Sequence, residues 1–350
     1  VTAARKLSVA VVQGGPSTEA EVSRASAAGV ARALSEAGHR AVRLELDAFL
    51  GETLRTGGYD VVFPVVHGAV GEDGCLQGLL EVLDLPYVGS GVLASALAMH
   101  KRVARVLFER AGLPVARGLA LSRGDARAAA ERARREVGAR LVVKPSSHGS
   151  AIGVARLEAD ATVDEVARAI EAVWAIDDFA IVEQFARGRE VTCGVLELGP
   201  APEALPPTEI LSPNDPFYTY EARYAPGRSV HVCPAKLPPA VLARVQQVAV
   251  GAHVALGCRD LSRVDFIVGD ADANPGAGDA HATPGAGGEG DPDAITLLEV
   301  NTLPGMTATS LYPEAAGIHG VPMPRLCDAM VTRAHARGPT RRLEARPLPL

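Results

Sequence analysis

Leu297-Leu298-Glu299-Val300-Asn301-Thr302-Leu303-Pro304-Gly305-Met306 is the stretch on which the reading of this chain turns. Thr296 to Val300 is apolar and β-prone and Pro304-Gly305 breaks the chain, so a buried strand runs into a sharp turn. Strand alternation puts Glu299 and Asn301 on one face. A carboxylate and an amide oxygen leaving a strand end together suit Mg²⁺, which takes a few protein oxygens and keeps its other positions for water and phosphate. A strand-end glutamate followed by a turn-forming asparagine explains the same residues without any ligand. The surrounding sequence has to decide.

Upstream, Leu261-Ser262-Arg263-Val264-Asp265-Phe266-Ile267 reads as another strand, with Arg263 and Asp265 on one face by the same alternation. Between the two strands, residues 269–293 are rich in Gly, Ala, Asp and Pro, the composition of a disordered insertion at a hairpin tip. Without it, Asp265 and Glu299 fall on adjacent antiparallel strands. Residues 338–350, with Arg341, Arg342 and Arg346 among prolines, read as a disordered tail.

Two lysines precede this region. Lys144 ends the apolar run Leu141-Val142-Val143 and is followed by Pro145-Ser146-Ser147-His148-Gly149-Ser150-Ala151, with a strand expected to resume at Ile152. Such a hairpin tip offers N–H groups, hydroxyls and one point charge to a phosphate; because the lysine precedes the glycines, it is not a Walker A loop. Lys101 opens a helix after the small-residue run from Gly91. Further on, Glu183 and Glu190 bracket the turn Arg187-Gly188 between two strands, where carboxylates suit an adenine amino group or ribose hydroxyls and equally suit exposed surface. Residues 212–228 gather aromatic and charged side chains between turn-rich ends, a pattern expected of a lid.

The N-terminal part alternates strands at Leu7–Gln13, Ala41–Leu46 and Val61–Val66 with helices, the first presenting Val22, Ala25, Val30 and Leu34 on one face. Gly14-Gly15-Pro16-Ser17 matches a dinucleotide-binding turn only weakly, since the third glycine is missing. His67 follows the third strand, where open α/β sheets collect ligands and where an ordinary loop histidine would also sit. The 350 residues suffice for two or three domains, and a net charge of −6 points away from nucleic acid or a membrane surface as the main partner. Five scattered cysteines without a CxxC pair, and no long apolar run, point to a reducing cytoplasm.

Electrostatics sharpens the picture. If Asp265 and Glu299 each lay about 4 Å from a triphosphate charge, every such contact would cost about 4 kcal/mol at an effective dielectric of about 20. Divalent cations between them, with Lys101 and Lys144 on the far side and Arg263 as an oxyanion donor, make the arrangement that phosphoryl transfer needs.

The ordered set Gly14-Gly15-Pro16-Ser17-Thr18-Glu19-Ala20-Glu21-Val22-Ser23, His67-Gly68 with Gly71-Glu72-Asp73-Gly74, Gly89-Ser90-Gly91-Val92, Lys144-Pro145, Tyr220-Glu221-Ala222, Cys233-Pro234-Ala235 and Glu299-Val300-Asn301-Thr302-Leu303-Pro304-Gly305-Met306 resembles the D-alanine–D-alanine ligases, an ATP-grasp family. The resemblance implies an α/β fold of three domains: an N-terminal parallel-sheet domain over 1–90, a central lobe over 91–186, and a C-terminal lobe over 187–337. It implies ATP-binding roles for Lys101, Lys144, Ser150, Glu183, Glu190 and Arg223, and two Mg²⁺ or Mn²⁺ ions on Asp265, Glu299 and Asn301. Glu19, Ser150 and Tyr224 match the set that positions the first D-alanine. His67, Ser310 and Leu311 match groups around the second, and Arg263 matches the arginine that stabilises the tetrahedral intermediate. A homodimer making peptidoglycan precursors in the cytoplasm is implied as well.

Three positions depart from the family: Arg223 and Gln184 stand where lysines are usual, and His100 replaces an acidic residue before Lys101. The other readings are a D-alanine–D-serine or D-alanine–D-lactate ligase of the same fold, and a non-catalytic ATP-binding scaffold. Tyr224 argues against lactate by resemblance, and the retained metal ligands argue against the scaffold.

Overall fold

The computed structural model describes residues 6–211, 229–269 and 294–339. Tyr224, Arg223, the expected lid, the tail beyond 339 and the insertion apart from Gly269 lie outside the described residues.

The N-terminal unit is a parallel sheet in the order β2-β1-β3, from β1 (Ser8–Gln13), β2 (Arg40–Glu45) and β3 (Val61–Pro64), extended by a parallel bridge from Val62 to Tyr87. Helix α1 (Ala20–Glu36) covers one face and α2 (Leu50–Thr56) and α3 (Cys75–Val82) the other. On α1 the buried stripe is Ser23, Ser26, Ala27, Val30, Ala33 and Leu34, which includes Val30 and Leu34 of the face expected from sequence. Val22 and Ala25 instead line a cleft, because the side of α1 away from the sheet forms the wall of that cleft.

The central unit is an antiparallel sheet in the order β4-β7-β5-β6, made of Gly118–Ser122, Phe179–Gln184, Leu141–Pro145 and Ala155–Leu157 respectively. Helices α6 (Ala126–Glu136) and α7 (Val163–Trp174) supply its apolar layer. The α7 helix starts at a capping box, with Thr162 and Glu165 bonding each other's backbone N–H, so its first turn is satisfied locally. The strand after the Ser/Gly-rich tip begins at Ala155 rather than Ile152. Ser150, Ala151 and Gly153 take left-handed φ values of 52°, 57° and 69°, which no strand accommodates, so the tip is longer than its sequence suggests.

The third unit is a sheet in the order β11-β10-β8-β12-β13, with β9 (Glu203–Ala204) on β8. Its strands are β8 (Arg189–Leu196), β10 (Thr208–Leu211), β11 (Val230–Val232), β12 (Leu261–Val268) and β13 (Ile295–Asn301). Gly269 N–H donates to the Ala294 carbonyl at 2.7 Å, so the described ends of β12 and β13 stay side by side. Helix α8 (Pro239–Leu256) packs on this sheet together with α4 (Val92–Met99) and α5 (Lys101–Arg110). Residues 92–110, grouped by sequence with the central lobe, thus bury Ala94, Ala98, Ala104 and Phe108 in the core of the third sheet. After α9 (Leu311–Ile318), helix α10 (Met323–Arg337) returns to pack on the N-terminal sheet through Leu326, Cys327, Met330 and Val331.

Candidate active site

The site forms where the three units meet. The β12–β13 register sets Arg263 opposite Asn301 and Asp265 opposite Glu299, then slips so that Phe266 faces Leu297. Residue 298 is therefore the extra residue of a bulge, placed beside the two acidic positions. Asp265 accepts both arms of the Arg263 fork at 2.9 Å, the Thr192 hydroxyl at 2.6 Å and the Asn301 amide at 3.1 Å. Thr192 reaches it because β8 pairs with β12 so that Asp265 and Thr192 are partners. In this arrangement Asn301 commits its nitrogen to Asp265 and keeps its oxygen out of that bond.

Glu299 meets Lys101, whose Nζ lies 3.0 Å from Oε2. The same Nζ donates at 2.7 Å to the carbonyl of His148 in the tip between β5 and β6. One lysine therefore ties the acidic strand end to the β5–β6 tip. Two further bonds fix that tip: Lys101 N–H donates to the Ser146 carbonyl at 2.8 Å, and His100 Nδ1 lies 2.8 Å from Ser146 Oγ. His100, a departure from the family pattern, thus anchors the loop.

Lys144 is held by Glu183, with Nζ 2.6 Å from Oε2, and Arg105 Nη1 lies 3.1 Å from the other oxygen. Sequence reading gave Glu183 to a ligand; here it is the shared counter-ion of two cations. Burial acts to raise its pKa, but Lys144 and Arg105 outweigh burial and hold it below the usual carboxylate value. Glu190 lies on β8, opposite Ile267 of β12.

Beside this cationic group is a cleft of 1180 Å³. It brings together Glu19, His67, Ser150, Arg263, Asn301, Ser310 and Leu311, residues scattered over nearly the whole chain. Ser150 Oγ donates to Glu19 Oε1 at 2.6 Å, joining the β5–β6 tip to the start of α1. His67 is buried, its Nδ1 lies 3.1 Å from the Leu303 carbonyl, and its Nε2 has no hydrogen-bond partner. Burial lowers its pKa, so the ring is a neutral imidazole at physiological pH. Ser310 caps the turn into α9, accepting Thr307 N–H at 3.0 Å, and Leu311 packs on Ile210.

Besides Thr192, two charged residues in the site were not singled out in sequence. Glu72 lines the cleft and accepts Gly68 N–H at 2.7 Å; burial pushes its pKa up to about 8. The other is Arg105, one helical turn after Lys101, a spacing that already places the two cations on one face.

As to metals, no three His, Cys, Asp or Glu side chains among the described residues converge as a self-sufficient cluster. What the strands offer is two carboxylates and an amide oxygen, a hard donor set of the kind that binds Mg²⁺ together with phosphate oxygens. That donor set fits the ion, with the remaining positions left to a nucleotide.

Two antiparallel lobes with lysines and acidic strand ends between them, fronted by a parallel-sheet domain, define an ATP-grasp enzyme. The chain belongs to the D-alanine–D-alanine ligase family. The family's C-terminus, described as "D-ala D-ala ligase C-terminus", matches residues 107–286 and 290–332, and its N-terminus matches residues 43–90. The D-alanine–D-alanine ligase of Desulforamulus reducens is 40% identical over 334 residues, covering 94% of this chain and 98% of its own length. That of Granulibacter bethesdensis is 42% identical over 333 residues, with 94% and 98% covered. Among solved structures, the ligase from Coxiella burnetii superposes with a TM-score of 0.74 at 29% identity, covering 95% of this chain and 96% of that one. The Bacillus anthracis ligase complexed with ATP gives 0.74 at 26% identity, with 95% and 97% covered. Among the described residues no helix is long and apolar enough to cross a membrane.

Proposed function

We propose that this chain joins two D-alanines into D-alanyl-D-alanine at the expense of ATP. The observation that carries the reading is the Glu19–Ser150 bond, which couples a carboxylate suited to an amino-acid ammonium to the loop suited to ATP phosphates, in a cleft shared with Arg263.

The first D-alanine, its ammonium held by Glu19, turns a carboxylate oxygen on the γ-phosphorus. The bond to the bridging oxygen breaks, leaving ADP and an acyl phosphate. The neutral amine of the second D-alanine, seated near His67, Ser310 and Leu311, attacks the acyl carbon. Arg263 stabilises the oxyanion that forms, phosphate departs with the oxygen it received, and the amine gives up one proton. Lys101 and Lys144 bind the phosphates, with Glu183 and Glu190 toward adenine and ribose. Arg223 and Tyr224, for which ATP and substrate roles are proposed, extend the set.

Asp265, Glu299 and Asn301 would hold two Mg²⁺ or Mn²⁺ ions, which when bound supply positive charge against the phosphates. Peptidoglycan precursor synthesis in the cytoplasm by a homodimer completes the proposal. It is tested by phosphate release with ATP, Mg²⁺ and D-alanine. Release no faster than with L-alanine sinks it, and products formed with D-serine or D-lactate in preference to D-alanine move the assignment to those acceptors.

A further inference from the structure

Glu183 presents an electrostatic problem that the proposed reaction leaves open. Its side chain is only 14% exposed, and those of Lys144 and Arg105 are 11% and 14% exposed, so all three charges lie largely out of water. A carboxylate in such a place stays ionised only while a cation stays on it. Lys144 is also the cation expected to serve the ATP phosphates. With Lys144 alone, moving toward a phosphate would strand a buried anion, and staying with Glu183 would withhold its charge from the nucleotide.

Arg105 resolves the conflict. Its guanidinium holds the Glu183 oxygen that Lys144 does not, and it is fixed independently by Glu109 at 3.0 Å and by the Ala116 carbonyl just before β4. The backbone has made room for it. Gly118 is the β4 residue paired with Glu183, and a Cβ there would lie 2.8 Å from Arg105 Nη1 and 2.9 Å from Glu183 Cγ. The helix is placed for it too, since Lys101 one turn earlier contacts Glu299 at the metal-binding end.

We propose that Arg105 is a positioning residue for the nucleotide: it keeps Glu183 charge-paired while Lys144 moves to the ATP phosphates. This rests on the assignment of Lys144 as a phosphate ligand in the reaction above. Arg105 itself touches neither substrate nor reacting atoms.

The test is a double-mutant cycle read by direct binding titration with ATP and with adenosine. Arg105→Met is expected to weaken ATP binding about tenfold or more while leaving adenosine nearly unchanged, because what is lost is the charge of Lys144 at the phosphates. Arg105→Lys restores most of the affinity. In a Glu183→Gln background, Arg105→Met costs less than about twofold, since a neutral amide needs no counter-ion. Equal losses in both backgrounds, or equal losses for ATP and adenosine, would identify a merely structural residue and overturn the proposal. Should Arg105→Met alone not fold, the double variant decides: binding ATP as Glu183→Gln does supports the proposal, and binding it tenfold worse overturns it. Failure of the ligase reading is distinguishable, because it appears as wild-type protein that binds ATP without making dipeptide.

Discussion

Two half-buried carboxylates, Glu72 in the cleft wall and Glu183 in the neighbouring cationic group, are held in opposite states. Glu183 has Lys144 at 2.6 Å and Arg105 at 3.1 Å, and these cations hold its pKa below the ordinary value against the effect of burial. Glu72 accepts Gly68 N–H at 2.7 Å, and burial, with some help from the nearby charge of Glu19, pushes its pKa up to about 8. At neutral pH the first is an anion and the second mostly a neutral acid. The difference fits what the proposed reaction would ask of each group. A triphosphate needs fixed cations that are themselves kept in place by an anion. An attacking amine must be neutral, and another ionised carboxylate beside it would favour its protonated form. His67, neutral through burial, belongs with Glu72 in this respect.

The largest expected effect lies at the cationic end. Glu299→Gln removes one of the two facing carboxylates beside Lys101 and should lower ligase turnover by about a thousandfold while leaving the fold intact. Steady-state kinetics alongside circular dichroism checks this, and a folded variant of near-normal activity would break the assignment of that end to phosphoryl transfer. Next comes Gly118→Ala. The added methyl carbon would lie 2.6 Å from the Val182 carbonyl as well as against Arg105 and Glu183, so a loss of about 1–3 kcal/mol is expected in denaturant titration.

A third prediction, read from the slope of stability with pH, concerns Glu72. Its pKa in the folded chain, about 8, lies above the ordinary 4.5. The folded state therefore holds a proton that the unfolded state releases between those values. The resulting stability is complete below about pH 4.5 and is lost as pH rises through about 8. Urea midpoints measured from pH 5 to 9 should fall less steeply in Glu72→Gln than in wild type. Identical slopes would place Glu72 with the ionised carboxylates and erase the contrast with Glu183.

Much of this was legible in the chain. Strand alternation alone set Glu299 with Asn301 and Arg263 with Asp265, and the observed register matches it. The slip that makes residue 298 a bulge was hidden, because a run of two leucines reads equally well in either register. Periodicity found α1 and two residues of its buried face, Val30 and Leu34, but not that the equally apolar Val22 and Ala25 serve the cleft wall. Lys101 and Arg105 were visibly one turn apart. Their partners were not, since Glu183 and Glu299 come from strands whose nearness depends on sheet pairing. The raised pKa of Glu72 arises from burial by distant segments, which no local pattern encodes.

The most direct measurement follows the oxygen atoms. With D-alanine labelled by ¹⁸O in its carboxylate, and ATP and Mg²⁺, attack of that carboxylate on the γ-phosphorus predicts one labelled oxygen in the phosphate released for each dipeptide formed. Dipeptide accompanied by unlabelled phosphate would contradict an acyl phosphate and, with it, the division of the site into a phosphate end and an amine end.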